Sequence, residues 1–97
     1  MKKFWRRSRK DYPDGVLGIY DNGGKSIDRF MLVYSPFEYK EQLVFPYLAM
    51  NGNPFHSQYG FVQHGELNFR YTRRNGEKTI NFSELPVDCQ KVIEEDL

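Results

Sequence analysis

Short runs of apolar residues, broken by glycine, proline and asparagine, set the pattern of this chain. Val16 to Tyr20 is apolar and ends at Asp21-Asn22-Gly23-Gly24. Arg29 to Tyr34 follows, with Phe30, Leu32 and Tyr34 on one face of an extended chain and Met31 and Val33 on the other. A strand repeats every two residues, so apolar positions on both faces predict a central strand covered from both sides. The two glycines tolerate positive φ, which predicts a tight turn joining the two runs as an antiparallel hairpin. Ser35-Pro36 interrupts the pattern, and Leu43 to Met50 resumes it with Pro46 inside. Proline donates no ladder hydrogen bond, so this segment is expected at a sheet edge or as an irregular strand. The stretch from Phe37 to Gln42 fits a loop, a helical turn or a strand equally well.

Asn51-Gly52-Asn53-Pro54 marks the next turn. Glu66 to Tyr71 then alternates, with Leu67, Phe69 and Tyr71 inward and Glu66, Asn68 and Arg70 outward. Asn75-Gly76 is expected to turn it into Lys78 to Phe82, a second hairpin. Leu85-Pro86 opens the one helix, since proline suits a first helical turn and Asp88 suits its positive end. Cys89, Val92, Ile93 and Leu97 form an apolar stripe along it. A helix of about 11 residues is marginal alone in water, so it must dock on the sheet. The expectation is an α+β fold: a small twisted antiparallel sheet of four to five strands with one C-terminal helix packed on it.

The chain has 97 residues, 39% hydrophobic and 16% aromatic, with net charge +1. That length suits one domain and argues against a large multi-step enzyme. The near-zero net charge conceals polarity. Lys2, Lys3, Arg6, Arg7, Arg9 and Lys10 make a basic stretch around Phe4 and Trp5, while Glu84, Asp88, Glu94, Glu95 and Asp96 face Lys91 alone at the other end. We divide the chain into a basic N-terminal arm over 1–12 and a single domain over 13–97. No apolar run approaches the roughly 20 residues that span a bilayer, and no signal-peptide pattern follows the basic stretch, so no membrane partner and a cytoplasmic setting are expected. Cys89, the one cysteine, forms no intrachain disulfide and lies on the helix stripe, where it reads as core packing.

Two segments carry more polar side chains than turns or packing require. The first holds Tyr20, Asp21, Asn22, Gly23, Gly24, Asp28 and Arg29; the second holds Asn53, His56, Gln58, Gln63 and His64. Should both line one end of the sheet, they gather carboxylates, a guanidinium, amides and both histidines into a loop rim able to take a ligand. Each also has a plainer reading: a hairpin turn at Asp21 to Gly24, a surface ion pair at Asp28-Arg29, a turn anchored by Phe55, and histidines that only hydrogen-bond. A metal site would draw on His56, His64 and Asp21 or Asp28. No zinc-protease, phosphate-loop or dinucleotide motif is present, and no cofactor is expected.

The stretches Tyr20-Asp21-Asn22-Gly23-Gly24, Asp28-Arg29-Phe30, Asn53-Pro54-Phe55-His56, Gln58, Gly60-Phe61, Gln63-His64 and Leu85-Pro86-Val87-Asp88-Cys89-Gln90-Lys91 resemble a family of small uncharacterised bacteriophage and prophage proteins. The resemblance spans residues 20 to 91 and omits the basic arm. It implies a phage or mobile-element origin, and with it a counter-defence role, but transfers no activity.

Three functions follow. The first is a non-catalytic accessory module, expected to be a homo-oligomer, that captures a polar small molecule such as a nucleotide at the loop rim: Arg29 on phosphate, Asn22, Asn53 and Gln58 on base or ribose, Tyr20 or Tyr59 stacking. The second binds nucleic acid or a host protein through the arm, with Trp5 stacking while Lys2, Lys3, Arg6, Arg7, Arg9 and Lys10 meet phosphates. The third is a small metal-dependent hydrolase with His56 or His64 as general base and Asp21 or Asp28 beside it.

Overall fold

The computed structural model describes residues 11–73 and 76–97. The basic stretch from Lys2 to Lys10 and the Asn75 half of the expected turn lie outside them. The first two apolar runs form β1 (Val16–Asp21) and β2 (Phe30–Tyr34), paired antiparallel from Val16 opposite Tyr34 to Asp21 opposite Phe30. A register shift between Val16 and Gly18 turns the strand so that Val16 and Ile19 face one core and Leu17 the other.

Phe37 to Tyr39 is a strand, β3 (Phe37–Tyr39), and it forms a tight hairpin with β4 (Gln42–Met50). The two residues at its tip, Lys40 and Glu41, hold φ of 50° and 66°, the left-handed conformation that glycine or asparagine would adopt more easily. β4 then pairs with β2 on one side and with β5 (Val62–Leu67) on the other. It is therefore an interior strand, contrary to the edge expected from Pro46. The proline is accommodated because it sits where Ser35-Pro36 already separates β2 from β3, so the ladder on that side is broken there in any case.

The second hairpin does not form. Its first half starts earlier than expected, as β5, and pairs with β4; its second half is the short β6 (Lys78–Thr79), which pairs with β1 at the opposite edge. Leu67 at the end of β5 and Tyr71 beyond it pack against the core, as expected, but Phe69, expected inward, is half exposed. The result is a six-stranded antiparallel sheet in the order β3-β4-β2-β1-β6, with β5 on the free side of β4.

A short 3-10 turn (Phe82–Glu84) leads into helix α1 (Val87–Asp96), with Pro86 at its start. Cys89 and Ile93 are buried and Val92 packs beside them, while Leu97, expected on the stripe, is exposed. The main core lies between helix and sheet, formed by Val16, Ile19, Phe30, Leu32, Leu48 and Met50 with Leu85, Cys89 and Ile93. Asp11 and Tyr12, counted with the arm in the sequence, are tied to this body. Tyr12 is buried, its hydroxyl accepting from Ile19 N at 3.1 Å and donating to Ile80 O at 2.8 Å. The Asp11 carboxylate accepts from Phe82 N and Ser83 N, at 3.2 and 2.9 Å.

The other face carries a smaller core of Leu17, Val33 and Phe45, flanked by Tyr20, Met31, Tyr47 and Tyr71. Two of its tyrosines lie over glycines. A methyl group on Gly18 would sit 2.6 Å from the Tyr20 hydroxyl, and one on Gly65 would sit 2.3 Å from the Tyr47 ring. Only a residue without a side chain leaves those rings room to lie flat on the sheet. No helix among the described residues is long and apolar enough to cross a membrane.

Candidate functional site

Both polar segments reach the same end of the sheet, because β1 ends and β2 begins there, and β4 ends and β5 begins there. Within each loop, however, Asp21, Asn22, Asn51 and His56 turn their polar groups on their own chain, while the amides of Asn53 and Gln58 are exposed. The Asp21 carboxylate accepts from Gly23 N at 2.7 Å and from Arg29 Nε and Nη2 at 2.9 and 3.2 Å. That bidentate contact, with Gly23 N helping, holds its pKa below the usual carboxylate range, although burial works the other way. Asn22 closes the loop after β1: its Oδ1 accepts from Gly24 N and Lys25 N, and its Nδ2 donates to Ser26 Oγ and Asp28 O. Gly23 and Gly24 take the positive φ expected of them, 78° and 86°, in a loop longer than a tight turn. The Ser26 hydroxyl donates to the Asp28 carboxylate. Arg29 covers the Phe30 ring at 4.9 Å, and Tyr20 leaves the rim to tilt against Tyr71 on the far face.

The loop between β4 and β5 is organised the same way, around Asn51. Its Oδ1 accepts from Asn53 N and Phe61 N, and its Nδ2 donates to Tyr59 O at 2.6 Å. His56 Nδ1 accepts from Gln58 N and Tyr59 N at 3.1 and 3.0 Å, and its ring leans on Tyr59. His56 is therefore part of the loop's own scaffold. Gln63 and His64 are not in this loop at all; they lie on β5, opposite Ala49 and Leu48. His56 and His64 thus belong to different surroundings, and among the described residues no three His, Cys, Asp or Glu side chains cluster as metal ligands would. Cys89 is fully buried, and burial pushes its thiol up to about 11, so it is protonated at neutral pH.

A different set of residues converges further down the helix face. His64 shares that face with Leu48, its partner across the ladder, and meets the last turn of the helix, where its Nε2 lies 2.8 Å from Asp96 Oδ1. The Tyr34 hydroxyl donates to the other oxygen of Asp96 at 2.6 Å. Burial raises the Asp96 carboxyl, but these two hydrogen bonds and the histidine outweigh it and the net shift is downward. Burial and the same carboxylate push the Tyr34 phenol upward, so it stays a donor.

The geometry behind this cluster is a mismatch of lengths. A helix of 10 residues is about 15 Å long, whereas the nine residues of β4 extend about 30 Å. The helix starts near the loop end, where Cys89 Sγ meets Asn51 O, and stops over His64 and Tyr34. The rest of that sheet face is left uncovered. An open groove of about 660 Å³ lies there, lined by Tyr34, Pro46, Tyr47, His64, Gly65, Glu66 and Asp96. A second hollow of about 380 Å³, lined by Phe37, Tyr39, Val44 and Glu66, continues it. The Glu66 carboxylate, common to both, has no partner among the described residues.

The groove thus combines aromatic and proline surface with two carboxylates, a combination suited to a cation carried beside an apolar group. Of its residues, only His64 was marked as a candidate in the sequence. Tyr34, Pro46, Tyr47, Glu66 and Asp96 were not. One signal did point here: the last helical turn carries Glu94, Glu95 and Asp96 and no basic residue, opposite to what the negative end of a helix favours. Comparisons with protein-family models, with curated proteins and with solved structures find no match to this chain.

Proposed function

We propose that this chain is a non-catalytic binding module whose receptive surface is the helix-face groove, and that its ligand is a partner segment carrying cations next to an aromatic side chain. The observation behind this reading is the pairing of Glu66 and Asp96 with Tyr34 and Pro46 in one uncovered hollow. Its volume of about 660 Å³ lies within the range of about 300 to 1,000 Å³ usual for ligand pockets. Its carboxylates repel phosphate. They draw lysine or arginine, whose stems and neighbours then rest on Tyr34 and Pro46.

The test is calorimetric titration with a blocked Arg-Arg-Trp-Arg-Arg peptide. Binding is expected to weaken as salt is added, and to fall at least about tenfold in the protein carrying Glu66→Gln and Asp96→Asn, since charge-assisted contacts contribute about 1.5 to 3 kcal/mol each. Equal affinity for the parent and the doubly substituted protein contradicts the reading. Capture of a nucleotide at the loop rim is the alternative, favoured by the arrival of both loops at one end of the sheet beside the half-exposed Arg29. Heat released by ATP, lost on Arg29→Gln, supports that alternative instead.

A further inference from the structure

Three strands have a neighbour on one side only among the described residues. β3 and β6 are three and two residues long, too short to template another strand, but β5 is six residues long. Its ladder to β4 is regular, and β5 carries no proline, lysine or bulge, the devices that keep an exposed edge from pairing. The phase of that ladder fixes which backbone groups point outward. Asn51 N donates to Phe61 O at 3.2 Å, and from there bonded and non-bonded opposite pairs alternate along the strands. Gln63, Gly65 and Leu67 thus bond towards β4, while the exposed Val62, His64 and Glu66 direct their N–H and C=O groups away from it. Pro46, opposite Glu66, falls in a non-bonded pair, as its missing N–H requires.

We infer that this edge pairs antiparallel with β5 of a second copy, about a two-fold axis through Gly65, and joins the two sheets into one. The side chains select that register. Directly opposite residues share a face of the sheet, so an axis normal to it passes through a residue. With the axis at Gly65, His64 of each copy stands opposite Glu66 of the other, and the one basic side chain of the strand meets its one carboxylate twice. An axis at His64 would instead set Glu66 against Val62 and the two imidazoles against each other. The Tyr47 ring lies over Gly65, where a methyl group would come within 2.3 Å of it, so pairing brings the two rings together over the facing glycines. Val62 and Phe69, 40% and 50% exposed, flank the strand at its two ends. Antiparallel pairing places the Val62 end of one copy against the Phe69 end of the other. Both helices lie on one side of the joined sheet, and the two grooves meet there as one trough. The inference does not depend on what the groove holds.

Sedimentation equilibrium of the full chain is expected to show a dimer that dissociates on dilution. Amide exchange at Val62, His64 and Glu66 should slow as concentration rises, while Gln63 and Gly65, already bonded to β4, change little. Glu66→Lys and His64→Asp should each weaken self-association on the order of tenfold, since each places like charges opposite one another. An equimolar mixture of the two should dimerise as the parent does, because the introduced lysine then faces the introduced aspartate. A parent that stays monomeric at the highest concentration, or a dimer that both substitutions leave intact, overturns the inference. A mixture no tighter than either variant alone also overturns it. So does slow exchange at the three outward amides that is independent of concentration, which assigns the cover to the same chain. Peptide titration of the groove is read separately, so its failure leaves this pairing standing.

Discussion

The loop end of the sheet and the groove beyond the helix are both rich in polar side chains, yet they use them in opposite ways. At the loop end, Asp21, Asn22, Asn51 and His56 each bond to backbone within their own loop. Their hydrogen-bonding capacity maintains irregular backbone that would otherwise be left to water. In the groove, Asp96 links two elements far apart in sequence, and Glu66 has nothing to pair with among the described residues. Density of polar residues in a sequence therefore measures how much backbone needs support. Receptivity depends on what remains after that support has been given.

The sharpest way to break this contrast is at Gly60. A methyl group there would stand 2.5 Å from His56 O and 2.6 Å from Pro54 O, and backbone cannot yield cheaply. Gly60→Ala is expected to destabilise by about 1 to 3 kcal/mol in urea unfolding while leaving peptide affinity in the groove intact. An unfolding midpoint equal to the parent's contradicts the scaffold role of that loop. Asn51→Ala removes three loop contacts and should cost about 1 to 2 kcal/mol. Asn22→Ala should cost about 1 kcal/mol in the same assay. Groove substitutions should show the reverse. Asp96→Asn is expected to change stability by less than about 1 kcal/mol while weakening the peptide, because its pairs are partly solvated.

Acid provides a test that joins the two regions. Asp21 and Asp96 both have pKa values held below their ordinary range by partners in the folded protein. Their stabilisation is complete above the unfolded carboxyl value, about 4, and fades as pH falls through the lower folded values. Unfolding midpoints should therefore drop below about pH 4, with Asp21→Asn and Asp96→Asn each flattening part of that drop. A parent profile level through that range contradicts both assignments. The smallest expected effect is at the hairpin tip under the second hollow. There, Lys40→Asn with Glu41→Gly relieves two left-handed residues and should stabilise by about 0.5 to 1 kcal/mol.

Much of the scaffold was legible in the sequence because the relevant signals are local. β1, β2 and the helix follow from apolar periodicity and from Pro86, and the α+β architecture follows from them. The errors arose where pairing is decided by a distant strand. Glu66 to Tyr71 alternates well, but the open side of β4 recruits 62–67 in its place, because a ladder with partners satisfies backbone that a short isolated hairpin would leave exposed. Pro46 looked like an edge marker, and the gap opposite it at Ser35-Pro36 has no trace in its own neighbourhood. The groove was hidden for the same reason. Asp96 meets His64 across 32 positions and Tyr34 across 62, and no motif spans such separations. The acidic last turn of the helix was the one clue available beforehand.

The central claim, that the groove is free to bind and the loop end is occupied by its own backbone, is tested most directly by mapping amide chemical shifts of the nitrogen-labelled protein. The blocked Arg-Arg-Trp-Arg-Arg peptide and ATP would be added in separate titrations. The account predicts that the peptide moves the signals of Tyr34, Tyr47, His64, Gly65, Glu66 and Asp96 and leaves residues 22–29 and 51–60 in place, while ATP moves neither set. Peptide-induced shifts absent from the groove, with ATP-induced shifts at Asn22, Arg29 and His56, would contradict it.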